Sequence, residues 1–150
     1  MSQSLSDIQI HLVFSTKHRA PMLSDSVREE LHAYMVGVLK NLTSPVIALN
    51  SVTDHVHVLF SLGRTVSVAK VVEDLKKSSS KWLKTKGGGL EEFAWQAGYG
   101  AFSVSRSSVE AVIEYIRTQD VRHKNLSFQD ELRGILSRHN IDFEEDYLWD

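Results

Sequence analysis

The sequence of 150 residues predicts an α+β fold, because segments with the two-residue period of strands alternate with segments that have the period of helices. Six of these segments follow one another in the order β-α-β-β-α-β, and two further helical segments come after them. Turn-forming residues separate the segments, among them Pro45, Gly98 and the triple glycine at 87–89.

The first half of the chain predicts a strand, a helix and a second strand. β-Branched and aromatic side chains dominate residues 8–15, as is typical of a strand. A helix is predicted from Ser24 onward, where Ser26 and Glu29 have the spacing of a capping box. A short strand follows over residues 45–51.

The second half continues with a strand that is joined tightly to the preceding one, because only a short break at Thr53 and Asp54 separates them. A capping-box spacing recurs at Ser107 and Glu110, at the start of the helix predicted over 108–119. The predicted elements are a strand over 55–62, a helix over 66–84, extended segments over 93–97 and 100–105, and helices over 108–119 and 127–139.

The order β-α-β-β-α-β is that of the ferredoxin-like, or split βαβ, fold. It predicts an antiparallel sheet with helices packed on one face. The sequence shows no internal repeat and no long linker, so we expect a single domain over residues 1–150 with an acidic tail at about 140–150.

Composition excludes several classes of protein. The hydrophobic fraction of 42% and the charged fraction of 24% are ordinary for a globular domain. No apolar run reaches the roughly 20 residues of a membrane span, and the N-terminal residues lack the pattern of a signal peptide. The absence of cysteine excludes disulfides and thiolate metal sites. A cytoplasmic protein is the simplest interpretation.

The formal net charge of −2 argues at first against a nucleic-acid partner. Residues 130–150, however, hold seven acidic and two basic side chains, which leaves 15 bases and 12 acids in the rest of the chain. A modestly basic body of this kind can bind DNA through a local patch of charge.

The tripeptide His55-Val56-His57 is the first chemical motif. Side chains two apart on a strand point to the same face, roughly 7 Å apart, so that two imidazoles can close onto one cation. The alternative is a pair of unrelated histidines on a half-exposed strand. Two histidines also form an incomplete site, so a third ligand must come from elsewhere in the chain.

Tyr115 and Gln119 form the second motif, since their spacing on a predicted helix places them on one face. The amide oxygen of Gln119 is a hard ligand that suits Mg²⁺ or Mn²⁺. The phenol of Tyr115 could serve as a covalent nucleophile, assisted by a metal that stabilises charge on a phosphate. The alternative is a surface tyrosine packed against a neighbour.

Together these motifs resemble the HUH endonuclease superfamily and, more narrowly, the single-tyrosine transposases of the insertion-sequence 200/605 family. The resemblance extends along nearly the whole chain in blocks of matching order and spacing. The blocks are HLVFSTKHR at 11–19, DHVHVL at 54–59, LKKSSSK at 75–81, WQAGYGAFSVS at 95–105, YIRTQ at 115–119, FQDEL at 128–132 and DYLW at 146–149.

The resemblance implies a specific activity. Members of this family bind hairpins of single-stranded DNA and cut beside them, forming a 5′-phosphotyrosine and a free 3′-hydroxyl, and then join strands without ATP. By position, His55 and His57 match the HUH pair, Tyr115 the nucleophile and Gln119 the third ligand of an Mg²⁺ or Mn²⁺ ion. The resemblance also implies a homodimer in the bacterial cytoplasm or nucleoid, and leaves open which chain supplies Tyr115.

One departure from the family is visible. Relatives often carry two adjacent histidines after the glutamine, whereas the stretch 120–124 has a single histidine, His123. This departure leaves the core set of His55, His57, Tyr115 and Gln119 complete.

Several other residues are candidates for contact with DNA. Basic and hydroxyl side chains could bind phosphates, or could simply lie on a solvated helix or turn. Tyr99 could stack on unpaired bases, as could Trp95, for which core packing is at least as plausible. His11 is expected to have a structural hydrogen-bonding role. The predicted phosphate contacts are Lys17, Arg19, Lys76, Lys77, Ser80 and Lys81.

Two other classes of function are compatible with these motifs. One is a non-catalytic protein, derived from such a transposase, that binds DNA or RNA hairpins. The other is a metal-dependent hydrolase that uses activated water in place of Tyr115. The intact catalytic set favours the tyrosine-dependent enzyme.

Overall fold

The computed structural model describes residues 2–123 and 126–150, and the predicted strands and helices are present in it. Most of their bounds lie within a few residues of the expected ones. The extended segment expected over 93–97 is an exception, because it forms only a single bridge, between Trp95 and Thr16. The strands are β1 (Gln9–Ser15), β2 (Val46–Ser51), β3 (His55–Ser61) and β4 (Gly100–Val104). The helices are α1 (Asp25–Asn41), α2 (Val68–Lys84), α3 (Val109–Arg117), α4 (Gln119–Arg122), α5 (Phe128–Arg138) and α6 (Glu145–Leu148).

The four strands form one sheet in the order β2-β3-β1-β4, and every neighbouring pair is antiparallel. This is the topology of the predicted ferredoxin-like fold, which is therefore confirmed. The register places Val13 opposite His57 and His11 opposite both Leu59 and Phe102. The histidine pair of β3 consequently lies next to the central strand β1.

The two faces of the sheet have different partners. Alternate residues of β1 and β3, such as Leu12 and Val58, pack against α1 and α2 in the larger hydrophobic cluster. The opposite face, which carries Val13 and His57, meets α3 and α5 through two smaller clusters. The expected packing on one face thus holds for α1 and α2. The C-terminal helices cover the second face, and as a result all seven residues of β1 are buried.

The starts of the helices differ in detail from the sequence predictions. Ser24 is the N-cap of α1, so Ser26 lies inside the first turn and the expected capping box does not form. The N-cap of α3, Ser108, likewise has no side-chain capping bond. Side-chain caps form instead at Ser67 and Ser127, which accept hydrogen bonds from backbone amides of α2 and α5.

The helix predicted over 108–119 is interrupted at Thr118, so α3 ends at Arg117 and Gln119 begins the short helix α4. The Thr118 amide still donates to the carbonyl of Glu114, at 3.2 Å. Within the described ranges, no helix is long and apolar enough to cross a membrane.

Candidate active site

Four metal-ligating side chains meet on the face of the sheet covered by α3 and α5. One potential ligand atom from each of His55, His57, His123 and Glu131 lies within 4.8 Å of all the others. Oε1 of Glu131 is 2.9 Å from Nε2 of His57, 2.9 Å from Nε2 of His123 and 3.3 Å from Nε2 of His55. We call these four residues the histidine–glutamate cluster.

Gln119 and Tyr115 reach the same cluster despite the break between α3 and α4. Oε1 of Gln119 lies 3.3 Å from Nε2 of His55, and its amide nitrogen donates to Oε2 of Glu131 at 2.9 Å. The hydroxyl of Tyr115 also donates to Oε2 of Glu131. The structure therefore brings together all four residues of the core set predicted from the sequence, and their roles are considered below.

The second nitrogen of each strand histidine is held by a neighbouring side chain. Nδ1 of His55 is 2.7 Å from Oδ1 of Asp54, and Nδ1 of His57 is 2.8 Å from Nε2 of His11. These contacts turn both Nε2 atoms toward the cluster, which is the arrangement that outer partners impose on metal-binding histidines. His11 thus has the structural hydrogen-bonding role expected from the sequence.

Burial and the adjacent His57 lower the pKa of His11 to about 3, so this imidazole is neutral at physiological pH. A neutral His11 can carry its hydrogen on Nδ1 and accept the Nδ1 hydrogen of His57 at Nε2. That choice of tautomer would leave Nε2 of His57 without a hydrogen and able to bind a cation. Without a cation, Nε2 of His57 donates to Glu131, and its Nδ1 accepts a hydrogen from Nε2 of His11.

The charges around Tyr115 oppose its ionisation. Burial alone would raise the pKa of Glu131, but hydrogen bonds from His123, His55 and His57 lower it well below its ordinary range. Burial, together with the hydrogen bond to the ionised Glu131, raises the pKa of the Tyr115 phenol. The carboxylate is therefore charged and the phenol protonated when no cation is bound.

The donor atoms of the cluster fit a divalent cation. Three imidazole nitrogens and one carboxylate oxygen are available, and the amide oxygen of Gln119 lies beside them. Imidazole and carboxylate ligands suit several divalent ions, including Mn²⁺, and the oxygen ligands also suit Mg²⁺. The cluster could therefore bind a metal ion, whose identity this donor set leaves open.

Sequence reasoning gave no role to His123 or Glu131. His123 follows Gln119 by four residues, the same step that separates Gln119 from Tyr115, so its spacing indicated a shared face. Glu131 lies within the buried stripe of α5 that includes Phe128, Leu132 and Ile135. An acidic residue inside an apolar stripe is a signal for a site, because isolated carboxylates are rarely buried.

Comparison with known families agrees with this geometry. The family model described as "Transposase IS200 like" matches residues 4–119, which include the histidine pair, Tyr115 and Gln119. The chain belongs to the IS200-like transposase family. The match ends before His123 and Glu131, which are supplied by the C-terminal part of the chain.

Two solved structures share the fold of this family member. One is described as a candidate transposase from Deinococcus radiodurans, with a TM-score of 0.62 and 22% identity, covering 79% of this chain and 98% of that one. The other is a REP-associated tyrosine transposase bound to a REP hairpin, with a TM-score of 0.61 and 16% identity, covering 82% of this chain and 74% of that one. No curated protein matches the chain.

The basic residues predicted to contact DNA occupy different environments. Lys17, Lys77 and Lys81 are exposed, and Ser80 is half-buried. The guanidinium of Arg19 lies 5.7 Å from the centre of the Trp149 ring, so it also helps to hold the C-terminal segment. Their contacts with DNA stay predictions.

Lys76 has a structural role that the sequence did not indicate. Its ammonium group donates to the carbonyls of Gln96, Ala97 and Gly98 at 2.8, 3.3 and 2.6 Å, and burial lowers its pKa to about 8. These contacts fix the loop that precedes β4. Any contact of Lys76 with DNA would compete with them.

The two aromatic candidates for base stacking also differ. Trp95 is buried, packs against Phe14 and Phe93, and donates through Nε1 to Oγ of Ser79 at 3.0 Å. It belongs to the core. Tyr99 is 43% exposed, so its ring is available to an unpaired base.

Proposed function

We propose that this transposase is a metal-dependent endonuclease and strand transferase that cuts single-stranded DNA beside hairpins through a 5′-phosphotyrosine at Tyr115. The observation that carries the proposal is the meeting of Tyr115 with the histidine–glutamate cluster. The Tyr115 ring lies 5.7 Å from the His57 ring and 6.0 Å from the His11 ring, centre to centre, and its hydroxyl contacts Glu131.

In this proposal His55, His57 and Gln119 hold Mg²⁺ or Mn²⁺, together with His123 and Glu131 from the C-terminal part of the chain. A divalent cation bound there would polarise a phosphate oxygen, offset the charge of Glu131 and stabilise the charge of the transition state. Asp54 and His11 orient the two strand histidines, and Glu131 orients the phenol of Tyr115.

The reaction of Tyr115 conserves the number of phosphodiester bonds. The phenol loses its proton and its oxygen attacks phosphorus, the bond from phosphorus to the 3′ oxygen breaks, and that oxygen takes up a proton as a free 3′-hydroxyl. Attack by a 3′-hydroxyl on the phosphotyrosine reverses these changes and joins strands. No nucleotide cofactor is needed, because the energy of the broken bond is kept in the tyrosine ester.

The proposed partner is a hairpin of single-stranded DNA. The REP-associated tyrosine transposase, whose structure was solved with a REP hairpin, shares the fold of this chain. The exposed Lys17, Lys77, Lys81 and Tyr99 are the proposed contacts, with additional contacts from Arg19, Lys76 and Ser80.

The proposal is tested with an end-labelled hairpin from the DNA that flanks the gene, incubated with Mn²⁺ or with a chelator and run on a denaturing gel. We expect a metal-dependent, protease-sensitive shifted band. Tyr115→Phe should abolish it, because the nucleophilic oxygen is lost, whereas Tyr34→Phe on α1 should retain it. Tyr34 is a matched control, since its ring stacks on Trp82, on the other side of the sheet.

Other outcomes of the gel would favour the other classes of function. Hairpin binding without any covalent band would contradict the proposal and favour a non-catalytic hairpin-binding protein. Cleavage that Tyr115→Phe performs at the normal rate, with no covalent band, would favour a hydrolase that uses activated water.

A homodimer is part of the proposal, and the contacts of Tyr115 bear on how such a dimer works. Tyr115 and the histidines that it approaches belong to the same chain, which supports action in cis. Mixing Tyr115→Phe with His57→Ala tests this point. The covalent band should stay absent from the mixture if Tyr115 acts in cis, and its return would show action in trans. Light scattering gives the oligomeric state of each variant.

A further inference from the structure

A pocket of about 650 Å³ opens beside Tyr115. The end of β4, helix α3 and the last turn of α5 form its walls, and Tyr115 and His11 are among the residues that line it. Because His11 contacts His57, the pocket adjoins the histidine–glutamate cluster.

The charges of this pocket have one sign. Its charged lining consists of the guanidinium groups of Arg122 and Arg138, and no carboxylate of the described residues lines it. The serines Ser103, Ser105 and Ser108 also line the pocket. Cationic and hydroxyl donors with no carboxylate in the lining form a surface that favours a phosphodiester.

Arg122 links the pocket to the proposed nucleophile. Its guanidinium carbon lies 4.1 Å from the centre of the Tyr115 ring, which is the geometry of a cation–π contact. Its Nε atom is buried and has no hydrogen-bond partner among the described residues, and it is the only buried side-chain nitrogen or oxygen there in that condition. A buried donor without a partner is unfavourable, so an acceptor supplied by a ligand would be bound strongly.

The lining of the pocket also includes an aromatic platform. The ring of His139 stacks on Phe102, with the ring centres 4.8 Å apart and the planes at 29°. His139 is exposed and Phe102 is buried, so the outer ring is held in place by the inner one. Unpaired bases stack on platforms of this kind with little dependence on their sequence.

We propose that this pocket binds an unpaired nucleotide next to the phosphate that Tyr115 attacks, with Arg122 and Arg138 against the phosphodiester and the base on His139. The proposal rests on the proposed function and deepens it, because it names the chain's contacts with the strand being cut. In this proposal Arg122 has two roles, because it packs on the ring of Tyr115 and also contacts the negatively charged phosphodiester of the substrate.

The first test measures binding without catalysis. A fluorescent oligothymidine of four nucleotides is titrated with the protein in chelator, which removes any contribution of a metal. We expect Arg122→Ala and Arg138→Ala to bind roughly 10-fold more weakly, as for the loss of a hydrogen bond to a charged group. Each should lower the slope of log affinity against log salt by about 0.7, the value for one phosphate contact on a single strand.

Matched variants keep this test decisive. Arg117→Ala removes an arginine that pairs with Glu114 on α3 outside the pocket, and it should bind the oligonucleotide like the wild type. Arg138 is exposed, so Arg138→Ala should fold normally and report on the pocket even if Arg122→Ala proves unstable. Wild-type affinity and salt slope in Arg138→Ala would overturn the proposal.

The second test identifies which phosphate of the substrate Arg122 contacts. A neutral methylphosphonate replaces, in turn, the scissile phosphate and each of its two neighbours in the hairpin substrate. Arg122→Ala should cut the normal substrate at least 10-fold more slowly, and this penalty should fall to less than about 2-fold at one of the three positions, as in a double-mutant cycle. A penalty that persists at all three positions would show that Arg122 acts only by packing on Tyr115.

These results distinguish a failure of the proposed nucleotide pocket from a failure of the proposed function. If the wild type forms no covalent adduct, the proposed function is wrong, and oligothymidine binding still decides whether the pocket holds a nucleotide. If the wild type forms the adduct while the arginine variants bind and cut normally, the proposed function stands and this inference is wrong.

Discussion

Glu131 accepts the hydroxyl hydrogen of Tyr115 although the two residues are 16 positions apart and lie on different helices. The same carboxylate contacts Nε2 of His57 and of His123 at 2.9 Å. The nucleophile of the proposed reaction and the proposed metal ligands are therefore connected through one side chain of α5. The histidines contact Oε1 and the phenol contacts Oε2, so the carboxylate could bind a cation and the phenol at the same time.

Glu131→Gln keeps the size of the side chain and removes its charge. We expect weaker binding of Mn²⁺, measured by calorimetry, because an anionic ligand is lost. The metal-free protein should also lose about 1–3 kcal/mol of unfolding free energy in urea, since buried histidines lose a charged partner. Glu114→Gln, at an exposed glutamate of α3, is the control. Unchanged affinity for Mn²⁺ in Glu131→Gln would remove Glu131 from the metal site.

His11→Phe removes the acceptor that orients His57 while keeping an aromatic ring in its place. Loss of such an outer partner lowers metal affinity by roughly 10–100-fold, and we expect a decrease in this range. His11→Gln, which restores an acceptor oxygen, should recover part of the affinity. His32→Gln is the control, because His32 contacts Ser51 outside the cluster. Equal affinity in His11→Phe and wild type would contradict the positioning role.

Lys76 and Lys77 are neighbours with different expected roles. Lys76→Ala should lower the unfolding free energy by about 1–3 kcal/mol, because three carbonyls of the loop before β4 lose their donor. Lys77→Ala should leave stability within about 0.5 kcal/mol of wild type, as an exposed change does. If Lys77 contacts a hairpin phosphate, its removal should lower the salt slope of binding by about 0.9.

Urea unfolding and fluorescence anisotropy with the hairpin measure both properties of each lysine variant. The opposite pattern, with Lys77→Ala unstable and Lys76→Ala normal in stability, would show that the carbonyl contacts of Lys76 contribute nothing.

Tyr99 and Trp95 provide the corresponding comparison for aromatic side chains. Tyr99→Ala should weaken binding of single-stranded DNA by about 1–3 kcal/mol if a base stacks on its exposed ring, with little change in stability. Trp95→Phe removes the indole nitrogen that donates to Ser79, so it should be less stable by about 1–3 kcal/mol. Its DNA affinity, measured on the folded protein, should equal that of the wild type. Normal affinity in Tyr99→Ala would exclude Tyr99 as a stacking platform.

The sequence by itself determined the features that depend on the residue periodicity of single strands and helices. Alternation along β3 places His55 and His57 on one face whatever the rest of the chain does, because successive strand side chains point in opposite directions. The order of strand and helix periods likewise predicted the ferredoxin-like topology. The spacing of Tyr115 and Gln119 predicted their proximity, and both side chains reach Glu131 although the helix is interrupted at Thr118.

Only the tertiary structure decided which distant groups join these local pairs. Glu131 enters the site because the apolar stripe of α5 packs on the second face of the sheet, a contact between segments far apart in the chain. The bonds from Lys76 to the loop before β4, and the place of Arg122 over Tyr115, also depend on how helices dock. The periodicity within one strand or helix specifies the face on which a side chain lies. The residue that this side chain contacts on another element depends on how the elements of the whole chain pack together.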